Sequence, residues 1–338
     1  MMLYQLSHVR MFPAPARPAG LVEVRVEPYR HRWCLPKRHR RRGMMAVMTV
    51  PGEPDQTLPD TSPAPRRVWV DDRLLEADEA SVSAVDHGLV VGDGVFESLK
   101  VTAAGAFALG RHLARMSRSA EALGLPAPDP DRVREAADAV LADRPYELGL
   151  LRITWTGGAG PLGSQRAYGP PTLVLADTPV EPAPASTSVV TVPWTRNEHG
   201  AMTGVKTTSY AENVRALRHA YDRDATEGLF LNTVGHVCEG TGSNLFCVLD
   251  GEVVTSPLAS GALAGITREL LLEWADVTER DLTLAEAQRA DEVFLTSSLR
   301  DVQGVHRWDE VTFDAPGPVT RRLQQVFAER SAADPDPR

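Results

Sequence analysis

Three prolines within six residues, Pro179, Pro182 and Pro184, interrupt the chain between two stretches that each carry strand and helix patterns. Proline lacks the amide donor that a sheet or helix uses and fixes φ at about −65°, so neither element continues through this stretch. A chain of 338 residues is long enough for each half to bury a core. The break therefore predicts two α+β domains, 67–178 and 188–332, joined by a linker at 179–187 and followed by a disordered tail at 333–338.

Before the break, Val68-Trp69-Val70 and Arg73-Leu74-Leu75 flank Asp71-Asp72 and read as a hairpin. A strand follows at 94–102. Leu113, Met116, Ala120 and Leu123 recur at helical spacing, as do Val133, Ala137, Val140 and Leu141, and strands follow at 148–156 and 172–176. After the break, strands are expected at 188–193, 228–232, 244–249 and 293–296. Helices are expected at 267–275 and 319–329, with another that buries Tyr210, Val214, Leu217 and Tyr221 on one face.

Residues 1–66 mix Pro, Arg and Gly without periodicity and contain the basic run Lys37-Arg38-His39-Arg40-Arg41-Arg42. This segment is expected to be a disordered extension, with a translation start near Met44 to Met48. Residues 1–43 hold ten Lys/Arg against two Asp/Glu, which leaves 26 basic against 43 acidic residues elsewhere. An acidic body argues against a nucleic-acid partner, and no apolar run reaches the roughly 20 residues of a membrane span. Cys34, Cys238 and Cys247 show no paired metal-ligand spacing, and an odd count fits a reducing cytoplasm.

Gly158-Ala159-Gly160-Pro161-Leu162-Gly163 matches the dinucleotide-binding pattern G-x-G-x-x-G. That motif must open a helix, yet Gly169-Pro170-Pro171 and another strand follow within a few residues. The segment reads instead as a loop at the mouth of a pocket. Lys206, in Gly204-Val205-Lys206-Thr207-Thr208-Ser209-Tyr210, sits among small hydroxyl residues between a strand and a helix. Most lysines are solvated charges, but a buried one loses its proton more readily and becomes a nucleophile toward an aldehyde. Downstream, Glu239 lies in the turn Cys238-Glu239-Gly240-Thr241-Gly242-Ser243-Asn244. Leu263-Ala264-Gly265-Ile266-Thr267 then leads into a helix, where the Ile266 and Thr267 amides and the Thr267 hydroxyl either hold a phosphate or form a simple cap.

In this order and spacing, Lys206, the 238–244 turn and Gly265-Ile266-Thr267-Arg268 resemble the class IV aminotransferases. That family contains branched-chain aminotransferase, D-amino-acid aminotransferase and aminodeoxychorismate lyase. Asp86-His87-Gly88, Gly92-Asp93-Gly94-Val95-Phe96-Glu97 and His112-Leu113-Ala114-Arg115 resemble its N-terminal motifs, and the likeness runs from 67 to about 330. The resemblance implies a two-domain α+β fold of type IV, like that of D-amino-acid aminotransferase, with pyridoxal 5'-phosphate as cofactor. It implies that Lys206 carries the cofactor and moves the α-carbon proton, and that Glu239 faces the pyridine nitrogen. Arg115, Gly265, Ile266, Thr267 and Ser298 would surround the phosphate. A small-molecule amino substrate and a homodimer are implied as well. Phe96, Tyr210 and Arg300 are weaker candidates for substrate contact, and so is Arg166 in the loop.

Two departures bear on the reaction. The D-amino-acid enzymes use an Arg and a His in the loop after the strand, and the matching residues 160–164 offer neither. The branched-chain enzymes place a Tyr just before a Glu-Gly pair, where this chain has Ala225, as the lyases do. The expected activity is aminodeoxychorismate lyase, converting 4-amino-4-deoxychorismate to 4-aminobenzoate and pyruvate. A branched-chain or D-amino-acid aminotransferase is the alternative.

Overall fold

The computed structural model describes residues 66–142, 144–166 and 169–338. The expected disordered extension lies, through residue 65, outside the described residues. Among the described residues the first half forms one antiparallel sheet. Its strands are β1 (Arg67–Val70), β2 (Arg73–Glu76), β3 (Gly94–Thr102), β4 (Gly105–Ala106), β5 (Gly149–Thr156) and β6 (Thr172–Pro179), in the order β2-β1-β6-β5-β3-β4. Asp71 adopts φ 55° at the expected hairpin turn. Helix α1 (His87–Val90) is a single turn, and α2 (Leu109–Leu123) and α3 (Pro130–Leu141) cover one face of the sheet.

The period-2 alternation of a strand decides which side chains that face receives. In β5, Leu151, Ile153 and Trp155 join Val95, Leu99 and Val101 of β3 beneath Leu113, Met116 and Val133 of the helices. Each fully buried side chain of this size contributes about 1.5–3 kcal/mol. Arg152 and Thr154 take the opposite face, paired across β3 with Ser98 and Phe96.

The second half forms a mixed sheet of β7 (Ser186–Arg196), β8 (Glu227–Asn232), β9 (Val237–Gly240), β10 (Asn244–Leu249), β11 (Glu252–Thr255), β12 (Thr278–Glu279), β13 (Glu292–Ser297), β14 (Asp301–Trp308) and β15 (Val311–Thr312). The order is β12-β11-β10-β13-β14-β7-β8-β9, with β15 on β14. Helices α4 (Ala211–Tyr221), α5 (Ile266–Trp274), α6 (Leu284–Ala287) and α7 (Pro318–Ala333) pack around it. Strands β10 and β13 are buried on both faces: Leu245, Cys247, Val293 and Leu295 serve one core, Phe246, Val248 and Phe294 the other. Among the described residues, no helix is long and apolar enough to cross a membrane.

Four sequence expectations change. Strand β7 continues past Pro193 to Arg196, because a register shift between Thr191 and Thr195 absorbs the missing donor. Glu239 lies in β9 rather than in a turn, since Val237 and Cys238 are buried and the strand pairs with β8. Helix α4 buries Asn213, Ala216 and Ala220, whose small size suits close packing on β7 and β8, and leaves Val214 64% exposed. Of the tail expected to be disordered, 333–338, Ala333 ends α7 and 334–338 is held on α2 through Ala108 N to Pro335 O (2.8 Å) and Gly110 N to Asp336 Oδ1 (2.7 Å).

Candidate functional site

A cavity of about 580 Å³ opens where the β3–β5 face meets the turns of the second sheet. Lys206 reaches it from a segment that pairs with the start of β3. Phe96 N donates to Lys206 O (3.0 Å), Thr208 N to Gly94 O (2.8 Å) and Thr207 Oγ1 to Gly94 O (3.0 Å). The hydroxyl residues around the lysine thus fasten its backbone, and Ser119 Oγ of α2 accepts from Lys206 N (3.3 Å). The Lys206 amine lies 4.2 Å from the Phe96 ring centroid and 5.9 Å from that of Tyr210. Burial, with the Arg115 and Arg152 charges, lowers the lysine pKa to about 8, against the pull of Glu97 and Glu239.

Phe96 and Tyr210 meet edge to face at 5.1 Å, and Tyr210 Oη donates to Thr241 O (3.0 Å). On the helix side of β3, Glu97 accepts from Arg115 Nε (2.8 Å) and lies 2.7 Å from His112 Nδ1. Burial alone would raise the Glu97 carboxyl, but Arg115 and His112 outweigh it and hold it far below the usual carboxylate range. Arg115 also donates from Nη1 to Ala264 O (2.8 Å), which links α2 to the turn before α5.

Glu239 faces the cavity from β9. Its Oε2 accepts from Leu263 N (2.8 Å), and its Oε1 pairs with Arg196 Nε at 3.2 Å. Burial raises its pKa, opposed by Arg196. Gly265 precedes α5, and no side chain caps the helix there. A Cβ on Gly265 would stand 2.0 Å from Asn244 Oδ1, so the close approach requires glycine. The Ile266 and Thr267 amides therefore open the helix toward the cavity without a side-chain acceptor. Thr296 Oγ1 is a second unanswered group: it is buried in the cavity wall and has no partner among the described residues. Ser298 lines the same wall. Arg300 lines it too, but its guanidinium donates to Gln303 Oε1 and Thr226 O and lies 3.5 Å from Glu227.

Sequence reasoning missed three charged residues here. Glu227 is buried and accepts from Thr241 N (2.8 Å) and Ser243 Oγ (3.0 Å), which shapes the turn after β9. Arg196 was hidden by the apparent stop at Pro193. Arg152 carried a readable signal, a charge alternating with Leu151, Ile153 and Trp155. Its Cζ lies 3.4 Å from the Phe96 centroid, and its hydrogen bonding among the described residues is one marginal contact, Nε to Thr154 Oγ1 at 3.5 Å. Burial lowers its pKa to about 10.

Three expectations fail at the site. Arg166 is committed elsewhere: it pairs with both oxygens of Asp93 (2.8 and 2.7 Å) and donates to the Leu123 and Gly124 carbonyls that end α2. The Gly-rich loop does not border the cavity. It is pinned to α1 and the segment just before it by His87 N to Gly158 O (2.9 Å), Gly160 N to Val85 O (3.0 Å) and the 2.8 Å contact of His87 Nε2 with Pro161 O. Ala225 packs with Val190 and Ala220 and does not itself line the cavity, although Thr226 beside it does. The tyrosine beside Lys206 is Tyr210.

The family described as Amino-transferase class IV matches residues 94–308. The chain is 29% identical to a branched-chain-amino-acid aminotransferase of Pseudomonas aeruginosa, over 77% of this chain and 91% of that protein. It is equally 29% identical to a D-alanine aminotransferase of Bacillus licheniformis, over 77% of this chain and 95% of that one. Among solved structures, the Escherichia coli branched-chain amino acid aminotransferase superposes with a TM-score of 0.73 at 26% identity, covering 78% of this chain and 94% of that one. The branched-chain aminotransferase of the thermophilic archaeon Thermoproteus uzoniensis, with norvaline, gives 0.74 at 26%, covering 78% and 94%.

Proposed function

This chain belongs to the class IV aminotransferase family, and on that premise we propose that it transfers an amino group from an α-amino acid to a 2-oxo acid. The family depends on pyridoxal phosphate, and the cavity's donors suit that group: an uncapped helix start, the unpartnered Thr296 hydroxyl and the Lys206 amine. Lys206 would hold the cofactor covalently and carry the proton at the substrate α-carbon. The Ile266 and Thr267 amides, beside Gly265, would hold the phosphate with Arg115, Ser298 and Thr296. Glu97 occupies one edge of the Arg115 guanidinium, so Arg115 acts through its remaining N–H groups. Glu239, oriented by Arg196 and Leu263 N, would keep the ring nitrogen protonated. Bound there, the cofactor supplies an electron sink for negative charge at the substrate α-carbon. Phe96 and Tyr210 would flank the substrate, and Arg152 would bind its carboxylate, since a guanidinium fork matches two oxygens.

One observation carries this reading: a buried lysine, a fixed carboxylate and an open helix N-terminus share a single cavity. The lyase reading rests partly on Ala225, which packs with Val190 and Ala220 and does not itself line that cavity. A homodimer belongs to the proposal. Leu89 and Leu162, each 73% exposed, come from segments joined by the Gly160–Val85 hydrogen bond, and such an apolar patch suits an interface. Likewise proposed is the division into two domains near 179–187.

Conversion of the bound cofactor to its amine form by alanine or a branched-chain amino acid, read by absorbance, is the expected result. Release of 4-aminobenzoate and pyruvate from aminodeoxychorismate, with no conversion by amino acids, overturns the proposal in favour of the lyase.

A further inference from the structure

We propose that residues 334–338 form a clasp that holds α2 against α5 and thereby fixes the binding site for the cofactor's phosphate. The inference rests on the reading that Arg115 of α2 and the first amides of α5 hold that phosphate. These contacts come from opposite halves of the chain, so their spacing depends on how the two helices are tied together.

Helix α2 begins without a cap of its own. Ala108 precedes it at φ 55° and makes no side-chain hydrogen bond to the first turn. The missing acceptors come from the far end of the chain. Pro335 O accepts from Ala108 N (2.8 Å) and Asp336 Oδ1 from Gly110 N (2.7 Å), a capping contact supplied by a remote carboxylate. Its negative charge also suits the positive end of the helix. Asp336 Oδ2 lies 3.6 Å from Arg134 Nη1, so α3 joins the same contact.

Arg111 extends the clasp to α5. It donates from Nε to Pro337 O (3.1 Å) and from Nη2 to Arg338 O (2.8 Å), and it pairs with both oxygens of Glu273 at 2.7 and 2.8 Å. Glu269, one turn earlier on α5, stands 3.8 Å away. Pro337 is buried. A single arginine on the first turn of α2 thus gathers residues 337–338 and the outer face of α5. On the inner face of the same junction, Arg115 Nη1 donates to Ala264 O (2.8 Å). Loss of the outer ties frees the first turn of α2 and loosens the inner one, while Ser119, which accepts from Lys206 N, lies two turns beyond Arg111 on the same helix.

The test is retention of pyridoxal phosphate by the holo protein on dilution. Deleting residues 334–338 is expected to weaken retention about tenfold and Asp336→Ala about fivefold, with Asp336→Asn between Asp336→Ala and the full chain because Asn keeps the acceptor for Gly110 N but loses the charge. Turnover at saturating cofactor should stay unchanged. Full retention by the deletion variant, a fall in saturated turnover without loss of retention, or an Asp336→Asn variant as weak as Asp336→Ala overturns the clasp. Arg115→Met separates the two claims. If it retains cofactor, the phosphate reading itself fails; if it loses cofactor while the deletion does not, only the clasp fails.

Discussion

The two sheets contribute to the cavity in different ways. The first offers a face: its strands bury one side against α2 and α3 and turn Phe96, Ser98 and Arg152 to the cavity. The second, buried on both sides of β10 and β13, has no face to spare and offers turns and strand ends, at Thr241–Asn244, Gly265–Thr267 and Thr296–Arg300. Side chains on a sheet face are held by neighbouring strands, whereas groups in turns are held by hydrogen bonds such as those that Glu227 accepts. On the proposed function, substrate selection would fall to the first sheet and cofactor binding largely to the second.

Four substitutions and one pH dependence test that division, from the largest effect to the smallest. Lys206→Ala should cut turnover at least about a thousandfold and abolish covalent cofactor attachment, read by steady-state assay and by loss of the bound-cofactor band. Glu239→Gln on the second sheet should lower kcat about a hundredfold for every substrate tested, because on the proposed function Glu239 would act on the cofactor rather than on substrate binding. A substrate-dependent loss there would erase the distinction.

On the first sheet, neighbouring positions of β5 should separate stability from recognition. Leu151→Ala should cost about 2–5 kcal/mol in urea unfolding, as expected for a truncated core side chain. Arg152→Met should change stability by less than about 1 kcal/mol yet lower kcat/KM about thirtyfold for an amino acid, and little for the matching amino amide. Equal losses with both would remove Arg152 from carboxylate binding.

The smallest effect concerns pH. Because burial lowers the Lys206 pKa to about 8, the reactive free amine grows as pH rises and is nearly complete above that value. Attachment of pyridoxal phosphate to cofactor-free protein should accelerate about tenfold per pH unit below 8 and level off above it, whereas an ordinary lysine near 10.4 would keep accelerating. The sign for stability agrees. Between about 8 and the unfolded value the unfolded chain binds more protons at this residue, so its contribution to stability rises with pH there.

Legibility in the sequence followed the same divide. Helices α2 and α3 and strand β5 alternate cleanly because each has one wet and one dry side, and their periodicity located them. Short strands such as β11 and β12 carry too few residues for a period, and β9 was obscured by the glycines that follow it. On α4 the period was visible but its meaning was inverted: packing of Ala216 and Ala220 turned Val214, Leu217 and Tyr221 to the cavity rim. Lys206, Glu239 and the Gly265 turn stand out only together, by an order and spacing that resemble the class IV family, because locally each reads equally well as a solvated charge or a simple cap. The commitments of Arg166 to Asp93 and of Asp336 to α2 join residues 73 and 226 positions apart, a separation that local patterns do not encode.

The central claim is that Lys206 is the residue that takes up the cofactor. Borohydride reduction of the holo protein, followed by proteolysis and mass spectrometry, should place the reduced pyridoxyl group on the peptide containing Lys206 and leave Lys100 unlabelled. A label on Lys100 or another lysine, or none at all on a protein that retains the cofactor's absorbance, would contradict it.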